Sequence, residues 1–422
     1  MPQRSFQTLR MQLLRDLKIT NNRIFRIAVI LALALMAAVS LCAGAKNAFY
    51  YSQDFQWDAA KALMIKADPY ELSINPEKVY EYDELAEFYR LFTDMGLKQK
   101  MEANQFPSLL MLLFPYALMP PFAARIVWLI SNVLFTAGIA FCLKKTFLKE
   151  LSGFEFAAVI LLMIAGTPYR NQIGVGQHTL FSFFFFLLAV YLEEREENTN
   201  DNKQKIWLQA GIVLCLFISF FKYTLTAPLA LYFVYKKKFK ELILSVVLHG
   251  VLTITAALML GKSVIYMITA PLKVAMNLSS EGGLDIGALV GGGTLSLVIA
   301  AIIGIFLLVL CVTLQSGYEK LLVPVLILWS LIMTYHRTYD FFVLSAVVMM
   351  FTTDGDSERG KYSGFDKFLF GFYPVLILAV YFGLRVFNEN TFSRVVVGAL
   401  YYAFTIACTY NLTVKIRHNK LT

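Results

Sequence analysis

Charged residues are scarce. Only 16% of the 422 residues are Asp, Glu, Lys or Arg, and 58% are hydrophobic. A soluble domain carries about a quarter charged residues, so an ordinary soluble fold around one buried core is excluded. Cysteine and histidine are also few. Cys42, Cys142, Cys215, Cys311 and Cys408 each sit in an apolar block and form no CxxC pair. A disulfide framework and a thiolate metal site are therefore not expected. His178, His249, His336 and His418 are too dispersed for a zinc motif. No Gly-Lys-Ser/Thr closes the glycine-rich stretch Gly282 to Gly293, so it is not a Walker loop. It reads as a flexible outer loop. No internal repeat is visible, which weighs against an inverted-repeat transporter. No basic stripe alternates with aromatics, so nucleic acid is not an expected partner.

What the chain does have is long apolar blocks. The first, Ile24 to Ala45, holds no acidic residue. About 20 apolar residues at 1.5 Å rise cross a hydrocarbon core of ~30 Å. The net charge of +9 gathers in tufts at block ends: Lys144-Lys145, Lys236-Lys237-Lys238, and Lys415, Arg417 and Lys420. Arg4, Arg10, Arg15, Lys18 and Arg23 precede the first block, so the N-terminus is expected in the cytoplasm. That long basic stretch and the full-length block favour an uncleaved anchor over a signal peptide, despite Ala43-Gly44-Ala45.

Residues 47–105 are polar and read as an outer loop. The run Phe106 to Met119 is short, is interrupted by Pro107 and Pro115, and is closed by Pro120-Pro121. It reads as a juxtamembrane helix, which lets Phe122 to Leu143 run inward and end at Lys144-Lys145. Further spans are expected near 152–168, 178–192, 206–221, 224–235, 241–260, 292–315, 321–334, 340–353, 367–383 and 393–413. The loops around 193–205 and 354–366 are then cytoplasmic. The expected fold is an all-α polytopic membrane protein of about twelve transmembrane helices with both termini inside. It is one membrane domain, 1–422: N-terminus 1–23, first helix 24–46, extracytoplasmic loop with juxtamembrane helices 47–121, remaining helices 122–413, tail 414–422.

On this topology five polar segments meet at the outer face. They are Asp54-Phe55-Gln56-Trp57-Asp58; Asp68-Pro69-Tyr70; Thr167-Pro168-Tyr169-Arg170 with Gln177-His178; Phe221-Lys222-Tyr223; and Thr334-Tyr335-His336-Arg337-Thr338-Tyr339-Asp340. Loops converging on a helical scaffold suit an interfacial site. Each also has a structural reading. Asp54 and Asp58, four apart, share a helix face as solvated carboxylates. Asp68-Pro69-Tyr70 is a turn, Gln177-His178 a helix cap, Lys222 a snorkelling lysine or one with an anionic partner. Arg337 pairs structurally with Asp340 or serves function.

The order of these segments resembles the glycosyltransferase-C superfamily, and most closely its family 87, the polyprenyl-phosphate-mannose-dependent mannosyltransferase-like proteins. The likeness rests on four features: Asp54-Phe55 with Ala59-Ala60 and Asp68-Pro69-Tyr70 after the first helix; the proline-interrupted run Phe106-Pro107 to Pro115; Gly176-Gln177 opening a helix; and Lys222 with Tyr335-His336 and Tyr339-Asp340. It covers roughly residues 20–345.

The resemblance implies an inverting transfer of a sugar from a polyprenyl-phosphate donor to a hydroxyl of a glycan or glycolipid. The reaction would lie outside the cytoplasm, at a bacterial inner membrane. It assigns the base to Asp54, with Asp58 as rival. His336 would give a hydrogen bond or proton to the leaving phosphate. Lys222, Arg337 and Arg170 would balance its charge. Asp58, Tyr70, Gln177, Tyr335 and Asp340 would bind substrate. No cofactor is expected beyond the lipid-linked sugar phosphate as co-substrate, with membrane lipids as surroundings. Gln177 stands where an Asp-x-Asp pair would be, which puts a divalent metal in doubt. A transporter or flippase, a polymerase or ligase of lipid-linked glycans, and a non-catalytic scaffold remain the competing classes.

Overall fold

The computed structural model describes residues 23–50, 52, 54–94, 96, 99–278, 283–291, 293–352, 364–384 and 391–421. Arg4, Arg10, Arg15, Lys18, Gly282 and most of the 354–366 loop lie outside the described residues. Every described element is helical.

Seven helices among the described residues are long and apolar enough to cross a bilayer. They are Arg23–Tyr50, Pro121–Thr146, Asn202–Leu229, Phe239–Leu260, Gly293–Thr313, Gly364–Gly383 and Thr391–Arg417. Thr167–Val175 and Thr179–Glu197 qualify only as a pair, bent by 108°. The expected count of twelve is therefore not confirmed. The apolar runs behind the other expected spans fold into shorter pieces. Gly153–Ala165 has 13 residues, and Glu319–Met333 has 15 with Pro324 inside it. Thr338–Phe351 winds as a 14-residue 3-10 helix. A helix enclosed by its neighbours is freed from matching the bilayer thickness, and most of the Glu319–Met333 and Thr338–Phe351 side chains are buried. At about 2.0 Å per residue the 3-10 winding also stretches further than an α-helix of equal length. In Gly293–Thr313, by contrast, Leu297, Ile302, Ile305 and Val312 are exposed, as lipid-facing residues should be.

Two backbone reversals shape one end of the bundle. Gly176 takes a left-handed φ of 73° and ends Thr167–Val175. A side chain there would be strained by that φ, and its Cβ would lie 3.3 Å from those of Ser52 and Phe55. Asn202–Leu229 qualifies as one stretch by length and composition, but the second reversal, at Phe220–Lys222, divides it. The Thr226 hydroxyl donates to the Ser219 carbonyl at 2.8 Å. A straight helix would spread those seven residues over about 10 Å. Lys236 then reaches Glu197 at 2.8 Å, back beside the start of the same stretch. The chain thus goes out through Asn202–Ser219 and returns through Tyr223–Tyr235.

Residues 54–119 form a cap over the end where both reversals lie. Its core of Phe55, Leu63, Tyr70, Leu85, Phe92 and Leu110 continues into the bundle through Trp128, Phe181 and Phe221. The run Phe106 to Met119 folds as two short helices, Pro107–Met111 and Phe114–Ala117. Asp68 caps Pro69–Ile74 through the Tyr70 and Glu71 amides, and its other oxygen accepts from the Tyr266 hydroxyl at 2.7 Å. At the opposite end Lys236 meets Glu193, Glu197 and Glu319.

The cap and the Lys236 end should lie on opposite membrane faces. In a Cys42→Ala background, an impermeant maleimide should label cysteine at Glu77 and cysteine at Lys240 from opposite sides of sealed vesicles. Labelling of both from one side would contradict the return at Lys222.

Candidate functional site

The site is built on a carboxylate that has no access to solvent. Asp340, in the first turn of Thr338–Phe351, is fully buried. One oxygen accepts from the hydroxyl of Thr179, the first residue of Thr179–Glu197. The other lies 3.6 Å from Lys222 Nζ. The Lys222 amide donates to Ser182 Oγ at 2.8 Å, which fixes the reversal against the same helix. Lys222 is therefore not a lone charge at an interface. It is held by an internal partner, and Asp340 pairs with it rather than with Arg337. Removing one member of such a pair leaves the other uncompensated.

Gln177 passes this anchor on to the first loop. Its carbonyl oxygen accepts from Lys222 Nζ at 3.4 Å and from the His178 amide at 3.1 Å. Its NH2 donates to the Tyr339 hydroxyl at 2.8 Å and to Asp54 Oδ2 at 3.2 Å. Lys222 Nζ also lies 5.4 Å over the Tyr339 ring. The loop backbone is pinned on both sides of Asp54. The Asp54 amide donates to the Val175 carbonyl at 2.9 Å. The Phe55 carbonyl accepts from His178 Nε2 at 2.9 Å, and the Phe55 ring stacks on Trp128 at 4.8 Å. Trp128 in turn donates to the Gly176 carbonyl at 2.9 Å.

Asp54 is half-buried. Burial pushes its carboxyl up from the ordinary range to about 6, while the Gln177 hydrogen bond and the charges of Lys222 and Arg337 pull it down. Arg337 is exposed, and its Nε donates to the Tyr335 hydroxyl. The His336 ring is buried, and its Nδ1 donates to the Thr334 carbonyl at 3.0 Å. Burial lowers the imidazole's affinity for a proton, and Asp340 opposes this.

The structure thus brings together Asp54, Gln177, Lys222 and Asp340, with Tyr335, His336 and Arg337 flanking them. It does not bring Asp58, Tyr70 or Arg170 to this cluster. Asp58 turns into the cap, where it accepts from the Tyr89 hydroxyl and the Ala59 amide. Burial raises its carboxyl pKa. The Tyr70 hydroxyl donates to the Gln105 carbonyl at 2.8 Å inside the same core. The Arg170 guanidinium meets Asn171 Oδ1 at 3.5 Å. Thr179 and Trp128 were not singled out from sequence. Thr179 directly follows His178, and Trp128 is one of only four tryptophans, but their partners lie far along the chain. Among the described residues no group of three or more His, Cys, Asp or Glu side chains is placed to hold a metal ion.

An all-helical bundle with membrane-length apolar helices and one polar cluster under a cap defines a polytopic membrane protein whose chemistry is gathered at one end. The model of glycosyltransferase family 87 matches residues 107–353, more than half of the chain, and the chain belongs to that family. It is a membrane glycosyltransferase. The matched segment holds Gln177, Lys222, His336 and Asp340, while Asp54 precedes it. No curated protein and no solved structure matches the chain.

The two carboxylates of the first loop should separate by experiment. Asp58→Ala leaves the buried Tyr89 hydroxyl without its acceptor and should lower stability by about 1–3 kcal/mol. Asp54→Asn keeps a hydrogen-bonding group at a half-buried position and should unfold near the wild-type denaturant midpoint. Equal midpoints for Asp58→Ala and wild type would remove Asp58 from the cap's framework. Lys222→Met should cost about 3–5 kcal/mol by stranding Asp340, and Lys222→Met with Asp340→Leu should recover much of that. No recovery would mean that the pair contributes nothing as a pair.

Proposed function

We propose that the chain transfers a sugar, mannose or a similar hexose or pentose, from a polyprenyl-phosphate-linked donor to a hydroxyl of a glycan or glycolipid. The reaction runs with inversion at the outer face of a bacterial cytoplasmic membrane, and Asp54 is the base. The observation that carries this reading is the state of Asp54 beside that of Asp340 and Asp58. Asp340 is engaged by Lys222 and Thr179, and Asp58 by Tyr89 and the Ala59 amide. Asp54 is half-buried and bound through one oxygen by Gln177. Of these three, Asp54 alone keeps an oxygen free for a substrate proton, which suits direct displacement. Retention would call for a second carboxyl as nucleophile or acid, about 5–5.5 Å from the first.

The chemistry then divides simply. As the acceptor oxygen attacks the anomeric carbon, its proton passes to Asp54. The bond to the phosphate oxygen breaks, and the electron pair leaves with the lipid phosphate. Arg337 and Lys222 supply positive potential for the developing charge. A carboxyl raised to about 6 is a better base than an ordinary aspartate, yet remains mostly ionised at neutral pH. The basic tufts on the far side of the spans support an outward-facing cap.

Asp54→Asn keeps the size but cannot take the proton. Turnover with a prenyl-phosphate-sugar donor should fall by about 10²–10⁴. The wild-type rate should rise with pH through about 6 and level off above it, because the ionised form is the active one. Near-normal turnover in Asp54→Asn would sink the assignment of the base, and so would a wild-type rate that falls as pH climbs from 5 to 7.

A further inference from the structure

The cap holds a cavity that the proposed chemistry does not use. Its volume is about 180 Å³, where one water needs only ~10–15 Å³. Pro76 and Val79 give it an apolar side, Tyr80 and Tyr89 aromatic rings, and Glu77 and Lys100 charged groups. Tyr80 is 51% exposed, so its ring is open to a ligand. The charges of Glu77 and Lys100 cancel, and a Glu102 carboxylate oxygen lies 4.0 Å from Lys100 Nζ. An anionic ligand would meet Glu77 and Glu102, and a cationic one would meet Lys100. A neutral ligand with many hydroxyls meets neither penalty. Its O–H groups donate to the carboxylates, its oxygens accept from the ammonium, and its C–H face can lie on a tyrosine ring. These are the properties of a sugar ring.

One stretch of chain ties this cavity to Asp54. From Lys100, which lines the cavity, residues 100–106 run without helix. Met101, Ala103 and Gln105 are buried, which leaves Glu102, Asn104 and Phe106 as the accessible ones. The Glu102 carbonyl accepts from Nε2 of Gln56, two residues past Asp54, at 2.9 Å. The Phe106 ring lies 5.2 Å from that of Tyr223, next to Lys222. The stretch therefore begins at the cavity and ends at the polar cluster. It also presents unfilled acceptors. Gln56 Oε1 and Asn104 Oδ1 have no hydrogen-bond partner among the described residues. The bond from Gln56 Nε2 to a carbonyl fixes that amide's orientation and leaves its Oε1 to accept. Buried acceptors are costly until a donor reaches them, and sugar hydroxyls are donors.

We propose that the cavity is a remote acceptor subsite. It holds one sugar ring of a neutral glycan chain whose end lies at Asp54, and Glu102, Asn104 and Gln56 meet the rings between. From Lys100 to Phe106 the protein chain spans at most about 20 Å, the reach of a short oligosaccharide. The inference rests on the transfer reading above and narrows its acceptor to a chain of several neutral sugars. A lipid bearing a single sugar cannot fill both places, and an acidic glycan is opposed by Glu77 and Glu102.

The test is saturation-transfer NMR on the purified full-length protein in nanodiscs, with no donor present. The probes are linear tetrasaccharides of mannose, glucose, galactose and arabinose, the matching methyl monosaccharides, and tetragalacturonate. At least one neutral tetrasaccharide should bind about tenfold or more tighter than its methyl monosaccharide, because it engages two places at once. Tetragalacturonate should not compete. Tyr80→Ala should weaken tetrasaccharide binding about tenfold, the scale for truncating an aromatic anchor, and Tyr80→Trp should keep it. Asn104→Leu should weaken it as well. Tyr80 is exposed, so its variants decide even if Asn104→Leu fails to fold. The proposal is overturned if no neutral tetrasaccharide binds, if Tyr80→Ala binds like wild type, or if the monosaccharide binds as tightly as the chain. No sugar moves in this assay. Tyr80-dependent binding in a protein that transfers no sugar would keep the subsite and remove the transfer reading. Transfer without such binding would do the reverse.

Discussion

The ion pair between Lys222 and Asp340 is the constraint on which the rest of the site depends. Asp340 is fully buried and Lys222 nearly so. Charges in such surroundings persist only when matched. The match fixes three pieces of chain to one another: the reversal at Phe220–Lys222, the start of Thr179–Glu197, and the start of Thr338–Phe351. Gln177, its side-chain carbonyl held by Lys222 and the His178 amide, reaches Asp54 with its NH2. Asp54 is positioned through a relay whose far end is a salt bridge, and a side chain in the first loop thereby depends on two helices far along the sequence.

Backbone reversals put polar groups at the end of an apolar bundle without exposing peptide groups to lipid. Gly176 turns one helix through a right angle and more, and the 3-10 turn at Phe220–Lys222 sends another back. Irregular backbone at such depth is tolerated only where protein encloses it. Here the cap of residues 54–119 does so, with Phe55, Trp128, Phe181 and Phe221 forming a continuous aromatic layer between cap and bundle. The layer also helps keep water from the buried side of Asp54, which raises its basicity.

Much of this arrangement was legible in the sequence, and the illegible parts share a cause. Apolar block length marked the membrane class and the non-spanning run Phe106 to Met119, because helix rise and proline chemistry act locally. The number of crossings was not legible. Glu319–Met333 and Thr338–Phe351 are enclosed by other helices, and their lengths answer to those neighbours rather than to the bilayer. Asp54 and Asp58 looked equivalent at a spacing of four. What separates them is Tyr89, which takes Asp58 into the cap core, and Gln177, which reaches Asp54; both partners are tertiary. Lys222 read either as a snorkelling lysine or as one with an anionic partner, and the structure pairs it with Asp340, far along the chain.

The central claim is that this cluster moves a sugar from a lipid phosphate in one inverting step. The most direct measurement is the anomeric configuration of the product. Purified protein in proteoliposomes would be given a prenyl-phosphate mannose of known configuration and a glycolipid acceptor, and the new linkage read by NMR couplings across the anomeric carbon. The account requires a glycosidic product of opposite configuration to the donor. A product of retained configuration, or donor carried across the bilayer with its sugar still attached and none transferred, would contradict it.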